Sequence, residues 1–371
     1  MQIITTSKAA LSSAVNSLSF IANNRNANPD FRLVSILSDC KERLLKLVSQ
    51  DYEQCLEFSL EADFSVESDV TFAVNCQALK TALRSCRKKA DELTLKFDSK
   101  ELAIYNAEGK QLGILAVEKS VSSFSIASIP KKAEKQVLAS NFQAFLADAA
   151  KCVHKDKYKA LLNSINISNA GISSTDGKRL LHIALPLNSL KSEVNLLYHR
   201  VLPSIKEQWL SLSAWTDETK SRSFVISGEN FNYFAYSIGG SFPNWQSVVP
   251  EEKHLDTEIS FSTEDWKILP EFLKELAKDK DEYVRLFLSD KVLFVQDSDK
   301  RELALTAKVT GALQEGTTVT LKAEFLHQFL EFGHRSLLLN SQENRAMKAR
   351  GGIGYYVFMG CALEKGKEEK A

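Results

Sequence analysis

The sequence predicts an α+β fold made of three similar domains, each with two helices packed on one face of a mainly antiparallel sheet. Two observations carry that prediction. The order strand, helix, several strands, helix, several strands runs through the first third of the chain and then recurs twice. Matched apolar positions recur with it. Val74, Leu197 and Leu321 each precede a helix, and Leu79, Leu202 and Leu326 fall at the same place inside it, as do Ala82, Ile205 and Phe329. The period is about 124 residues, too long for a solenoid repeat. Three such units nearly fill the 371 residues, with expected boundaries at 1–128, 129–252 and 253–363 and a charged tail over 364–371. Chance recurrence of strand and helix signals is the competing explanation.

Each element has a local cause. Residues 2–5 alternate as a strand. Ser7 then caps a helix with Leu11, Ala14, Val15, Leu18 and Ala22 on one face and uncharged Ser12, Ser13, Asn16 and Ser19 on the other. A polar loop over 23–30 ends it, and strands are expected at 31–38, 43–49 and 54–60. Asn75, a good N-cap, starts a second helix with Leu79, Ala82, Leu83 and Cys86 inward. Lys80, Arg84, Arg87 and Lys88 stand at i, i+4, i+7 and i+8, which makes one basic stripe. Strands follow at 93–97, 101–105 and 112–117. The second round opens at Ser140-Asn141 on a helix with Phe142, Phe145, Leu146, Ala149 and Val153 inward. Lys151, His154, Lys155 and Lys157 lie at its polar end. A short helix carries Val201, Leu202 and Ile205, and strands at 210–215, 223–227 and 231–238 close the round. In the third, a helix over 263–277 presents Trp266, Leu269, Leu273 and Leu276, and Pro270 is expected to kink or split it. Strands at 283–288, 292–296 and 302–309 lead to a helix with Leu326, Phe329 and Leu330, closed by Gly333.

Composition narrows the function. Lys and Arg number 47 against 47 Asp and Glu, so no global field draws nucleic acid or membrane, and any electrostatic role is local. No apolar run reaches the roughly 18 residues of a membrane span. The N-terminus lacks the basic-then-apolar layout of a signal peptide. Six scattered cysteines without Cys-x-x-Cys fit free thiols in a reducing cytoplasm better than disulfides or zinc. Phosphate-binding Gly loops, His-Glu-x-x-His and Gly-x-Ser-x-Gly are missing, so the sequence points to no enzyme, cofactor or metal site. Glu324 and Glu331, seven apart on the last helix, read as a solvated face. The basic groups Lys80, Arg84, Arg87, Lys88, Lys151, Lys155 and Arg200 are candidates for phosphate contact without sequence readout. Each cluster reads equally well as a solvated helix face.

The middle of the chain holds the most informative stretch. Thr175-Asp176-Gly177 is a polar turn between two apolar runs, with Lys178 and Arg179 directly after it. On spacing alone it is a tight turn between strands. Yet Thr175-Asp176-Gly177-Lys178-Arg179-Leu180 resembles the Thr-Asp-Gly-His-Arg-Leu motif of the bacterial DNA polymerase III beta subunit family, the sliding clamps. Gly240-Ser241-Phe242-Pro243-Asn244-Trp245-Gln246-Ser247-Val248-Val249-Pro250 is similar to that family's Gly-x-Phe-Pro-Asp-Tyr-x-x-Val-Leu-Pro. Tyr356-Val357-Phe358-Met359 resembles its closing Tyr-Val-Val-Met strand. The three occur in family order at near-family distances, and the threefold repeat and chain length agree.

The resemblance implies three DNA-clamp domains per chain, and two chains head to tail in a homodimeric ring on duplex DNA. It implies a function without chemistry: the ring is loaded by an ATP-driven loader and tethers DNA polymerase, with helices lining the hole. Clamp partners, the loader included, insert a short apolar peptide into a pocket between the second and third domains. Carried over, that pocket is Thr175, Gly177, Lys178, Arg179, Leu180, Pro243, Val248, Val357 and Met359, with Arg179 as the cation that orients the partner. Departures from the family pattern are specific. Lys178 replaces a His, Gly360-Cys361-Ala362 replaces Pro-Met-Arg at the expected pocket floor, and Arg345 replaces a small residue. The first helix is uncharged outside, and the chain is neutral where the family is usually acidic. A clamp-fold scaffold that has lost the replicative role is the alternative reading. So is an unrecognised enzyme with a cleft between domains.

Overall fold

Leu33–Asp39 and Leu44–Gln50 alternate half-buried and buried residues along their whole lengths. That is the period-2 signature of strands with one face on a core. A computed structural model of the chain describes residues 2–23, 27–65, 68–85, 92–118, 129–156, 158–197, 202, 205, 209–218, 220–279, 282–342 and 346–364. It shows the expected mixture of helices and large antiparallel sheets. Five helices are described: α1 (Lys8–Leu18), α2 (Cys76–Arg84), α3 (Phe142–Ala149), α4 (Asp265–Leu276) and α5 (Ala323–Glu331).

Their ends follow from side-chain chemistry. Ser7 Oγ accepts from the Ala10 N–H at 3.4 Å, and Asn75 Oδ1 accepts from the Ala78 N–H at 3.0 Å. These are the caps expected for α1 and α2. Ser262 and Asp265 cap α4 reciprocally, at 3.1 and 2.8 Å, in the manner of a capping box. Gly333 takes φ +78° just after α5, and the His334 N–H reaches back to the Phe329 carbonyl at 3.1 Å. Pro270 lies inside α4, which runs through it undivided, so of the expected kink or split the split does not occur. Its missing N–H removes one helical hydrogen bond, while Leu269, Leu273 and Leu276 hold the helix to the core.

The chain packs as two compact units, residues 1–146 with 187–239 and residues 147–186 with 240–371. The first carries a twelve-stranded sheet. The strand Gln54–Phe64 is its junction: it pairs with Gln2–Ser7 and Leu44–Gln50, and also with Phe231–Tyr236, where Phe58 lies opposite Phe231. Strands from the first and second expected domains are therefore hydrogen-bonded into one sheet. Gln111–Ala116 is an edge strand of this sheet, with Ile114 half exposed.

The second unit contains the run Ser164–Ser168, Gly171–Thr175, Arg179–Ala184, Tyr355–Met359, Ala346–Arg350, Ser336–Leu339, Thr257–Ser260 and Lys308–Gly311, each antiparallel to the next. A five-stranded sheet in the same unit ends in Ala362–Glu364, which pairs with Thr318–Lys322. The expected tail therefore starts later than 364, because Glu364 is still a strand residue opposite Thr318; residues 365–371 lie outside the described residues. The strand expected over 302–309 is two, Glu302–Leu305 and Lys308–Gly311, which belong to different sheets. The short helix around Val201, Leu202 and Ile205 falls mostly outside the described residues, as does Arg345. The five described cysteines are free thiols.

Candidate functional site

The central turn is built by Asp176. Its Oδ1 accepts from the N–H groups of Lys178 and Arg179, both at 2.9 Å, while Gly177 takes φ +87°. The turn joins Gly171–Thr175 to Arg179–Ala184, and the latter pairs with Tyr355–Met359 so that Leu180 faces Val357 and His182 faces Tyr355. Successive side chains on a strand point to opposite faces. Leu180 and Val357 therefore share one face, and Arg179 belongs to the other.

On the Leu180 face lies a cavity of about 190 Å3. All nine residues expected at the pocket line it: Thr175, Gly177, Lys178, Arg179, Leu180, Pro243, Val248, Val357 and Met359. They come from three separated stretches of the second unit. Leu180 and Val357 are buried and form the floor, whereas Val248 and Met359 are 56% and 41% exposed and form the rim. Sequence reasoning missed Leu162, Asn244, Trp245, Ala346 and Phe358 in the lining. Trp245 was legible, as the aromatic two residues after Pro243 in the second motif. Its ring stacks on His182 at 3.9 Å, which holds the 240–250 segment against the sheet.

Two expectations about this site are corrected. Arg179 is not the cation at the mouth. Its side chain turns to the face opposite Leu180, where Nη1 lies 3.1 Å from Glu324 Oε1 and donates to Gln328 Oε1 at 2.8 Å. Nε lies 3.1 Å from Asp176 Oδ2 without hydrogen-bond alignment, and the guanidinium stacks on Phe325 at 4.9 Å. Burial acts to lower the Arg179 pKa, but Tyr356, Cys152, Asp176 and Glu324 outweigh it, and the net shift is upward. Glu324 is accordingly not a solvated acid, and Glu331 pairs with Lys151 at 3.4 Å. The exposed cation at the cavity is Lys178, which makes no ion pair among the described residues. The second correction concerns Gly360-Cys361-Ala362. Neither Gly360 nor Cys361 is among the described residues that line the cavity. The chain has already turned away there, with the Cys361 N–H donating to the Thr320 carbonyl at 2.7 Å.

The basic candidates are dispersed. Lys80 is half-buried and donates to Ser19 Oγ at 2.8 Å, and Arg84 is exposed at the end of α2. Lys151 is held by Asp148 at 3.0 Å and by Glu331, so its charge is countered. Lys155 is exposed beside His154. Arg87, Lys88, Lys157 and Arg200 lie outside the described residues. Among the described residues no group of three or more His, Cys, Asp or Glu could hold a metal ion, and no helix is long and apolar enough to cross a membrane.

Two buried histidines predict an acid response. Burial lowers both His182 and His334 to a pKa of about 4. The unfolded chain protonates them near 6.5, so between those values it binds more protons than the folded chain, and stability falls as pH falls. Each histidine then contributes a loss of about 0.7 kcal/mol between pH 7 and pH 6, which approaches about 1.4 kcal/mol per pH unit below pH 6. Urea unfolding at pH 7, 6 and 5 should show this slope, and His182→Asn with His334→Asn should flatten it; equal stability at pH 7 and 5 in the unaltered chain contradicts the assignment.

No protein-family model matches the chain, and no curated protein matches it. Solved structures do. DNA polymerase III subunit beta from Borrelia burgdorferi, in complex with a natural product, superposes with a TM-score of 0.80 at 15% identity, over 98% of this chain and 100% of that one. The beta chain from Streptococcus pneumoniae TIGR4 gives 0.78 at 14% identity over 98% and 100%. The Helicobacter pylori beta clamp, bound to a DNA ligase peptide, gives 0.76 at 16% over 98% and 100%. The chain therefore has the fold of the DNA polymerase III beta subunit along nearly its whole length, with a widely diverged sequence.

Proposed function

We propose that this chain is a sliding clamp, a non-catalytic ring subunit that encircles duplex DNA and tethers DNA polymerase, the clamp loader and other partners through short apolar peptides. The observation that carries this reading is the cavity over Leu180 and Val357. Three sequence-distant motifs, each similar to the clamp pattern, converge on it within a clamp-folded chain. The Helicobacter pylori clamp holding a DNA ligase peptide supports a peptide as occupant. In this reading the domains are 1–128, 129–252 and 253–363, and two chains close the ring in the cytoplasm. Among the described residues the outer side of the Gln111–Ala116 edge pairs with no strand, which leaves it for a second copy to extend. Topological linkage then replaces tight contact, and phosphate attraction from residues such as Lys80, Arg84, Arg87, Lys88, Lys155 and Arg200 stays weak enough for sliding.

One observation favours a second reading, a clamp-fold scaffold without a hold on DNA. Lys151 is countered by two acids and Lys80 is engaged by Ser19, which thins the basic lining. A single experiment separates the two. Light scattering should give twice the 41.5 kDa chain mass. Protein loaded on nicked circular DNA should be retained through gel filtration and lost on linearisation. Monomer at micromolar concentration, or equal retention on circular and linear DNA, rules out the ring.

A further inference from the structure

The apolar cavity has a floor made by the sheet and a wall made by the 243–248 stretch, where Pro243, Asn244, Trp245 and Val248 line it. Trp245–Val248 is a single tight helical turn. Ser247 Oγ donates to the Asn244 carbonyl at 2.7 Å, and the Val249 N–H to the Gln246 carbonyl at 3.3 Å. Among the described residues, no hydrogen bond of residues 244–248 reaches the sheet. The wall is therefore held to the floor by packing. Its closest ring contact is Trp245 on His182, with centroids 3.9 Å apart and planes 19° apart. Farther along, Glu252 pairs with Lys348 and Arg350, each at 3.0 Å, but its side chain is more than half exposed, and exposed ion pairs contribute little.

Strand register places His182 for this task. Leu180 and His182 are two apart on one strand, and Val357 and Tyr355 lie opposite them on the next, so all four share a face. Leu180 with Val357 floors the cavity, and His182 with Tyr355 forms the adjoining row. His182 is buried, and its Nδ1 shares a hydrogen bond of 2.9 Å with Oγ of Ser173, which faces it from the strand on the other side. That bond fixes the plane of the imidazole. The Tyr355 ring continues the stack, 6.1 Å from His182. A flat ring held in one plane gives the indole one seat. An aliphatic side chain of similar size would fill the space without fixing the tilt.

We propose that His182, oriented by Ser173, is a positioning residue of the peptide site: it sets the tilt of Trp245, and through it the width of the cavity, without touching the peptide. This rests on the peptide-pocket reading above. Trp245 belongs to the cavity lining and His182 does not. The imidazole therefore acts on the occupant only through the indole. A stacked ring pair is worth up to about tenfold in a binding constant, and the loss of the seat should cost affinity on that order while the floor stays intact.

The test uses the full chain and a short fluorescein-labelled peptide with leucine and phenylalanine anchors. Anisotropy reads its affinity, and urea unfolding of the same proteins reads their stability. His182→Leu and His182→Ala should each weaken the peptide about tenfold in chains that are fully folded. Trp245→Ala should weaken it at least as much. Adding His182→Leu to Trp245→Ala should cost nothing further, because the seat matters only through the indole. Ser173→Ala with His182→Phe keeps a flat ring and leaves no buried hydroxyl unpartnered. It should bring affinity back to within about threefold of the unaltered chain, whatever it does to the urea midpoint. A histidine that is only structural would lower the midpoint and leave affinity unmoved, and that result overturns the proposal. Fully additive losses in the His182→Leu, Trp245→Ala double variant overturn it as well. If the unaltered chain does not bind the peptide, or Leu180→Lys does not weaken it, the peptide-pocket reading falls and the proposal falls with it.

Discussion

Arg179→Met is expected to destabilise the chain by about 3–5 kcal/mol, the usual consequence of removing one partner from a buried charge cluster. The guanidinium is 3% exposed, with Asp176 on one side and Glu324 on the other. Gln328 accepts from it and also from the Tyr356 hydroxyl at 3.1 Å. Methionine replaces most of the packing volume on Phe325 but leaves two part-buried carboxylates without a counter-charge. Urea unfolding measures the loss. Adding Asp176→Asn and Glu324→Gln should restore much of it, since neutral amides carry no unpaired charge. If Arg179 instead oriented a partner from the cavity mouth, Arg179→Met would leave stability within about 0.5 kcal/mol, as surface substitutions do, and weaken peptide binding alone.

This distinction was partly legible in the sequence. The alternation of a strand after a turn by itself puts Arg179 and Leu180 on opposite faces. What the alternation does not tell is which face meets α5 and which meets the 240–250 segment. That depends on pairing between Arg179–Ala184 and Tyr355–Met359, elements about 175 residues apart in the chain, and such long-range register is a tertiary property. The helix caps at Ser7 and Asn75 and the stop at Gly333 were legible, because the atoms involved lie within a few residues of one another. The roles of Glu324 and Lys151 were not. Each is an ordinary charged residue on a helix, and only packing supplies Arg179 to the first and Glu331 to the second. The Gly360-Cys361-Ala362 segment misled for a related reason. Position along a motif placed it at the cavity, whereas the backbone bond from Cys361 to Thr320 draws it into another sheet.

Leu180→Lys should have the opposite effect from Arg179→Met, one residue away on the same strand. Leu180 is 2% exposed, yet its side chain faces a cavity rather than solid core, across from Val357. A lysine there has room to extend its stem along the apolar wall and bring the ammonium toward the exposed rim at Val248 and Met359. The fold then loses part of one leucine's burial, about 2 kcal/mol. A peptide loses far more. Its anchor must either displace the lysine or bury against an unpaired charge, and either should weaken binding by about 100-fold or more. Anisotropy with a short fluorescein-labelled peptide carrying leucine and phenylalanine anchors reads this directly, and light scattering on the same sample reports whether the oligomer persists. Val357→Lys, from the facing position on the neighbouring strand, should reproduce the loss, because the two side chains floor the same cavity. A Leu180→Lys chain that binds the peptide as tightly as the unaltered one would place the peptide elsewhere, whatever its stability. The pair of substitutions thus separates what holds the hairpin from what the hairpin presents.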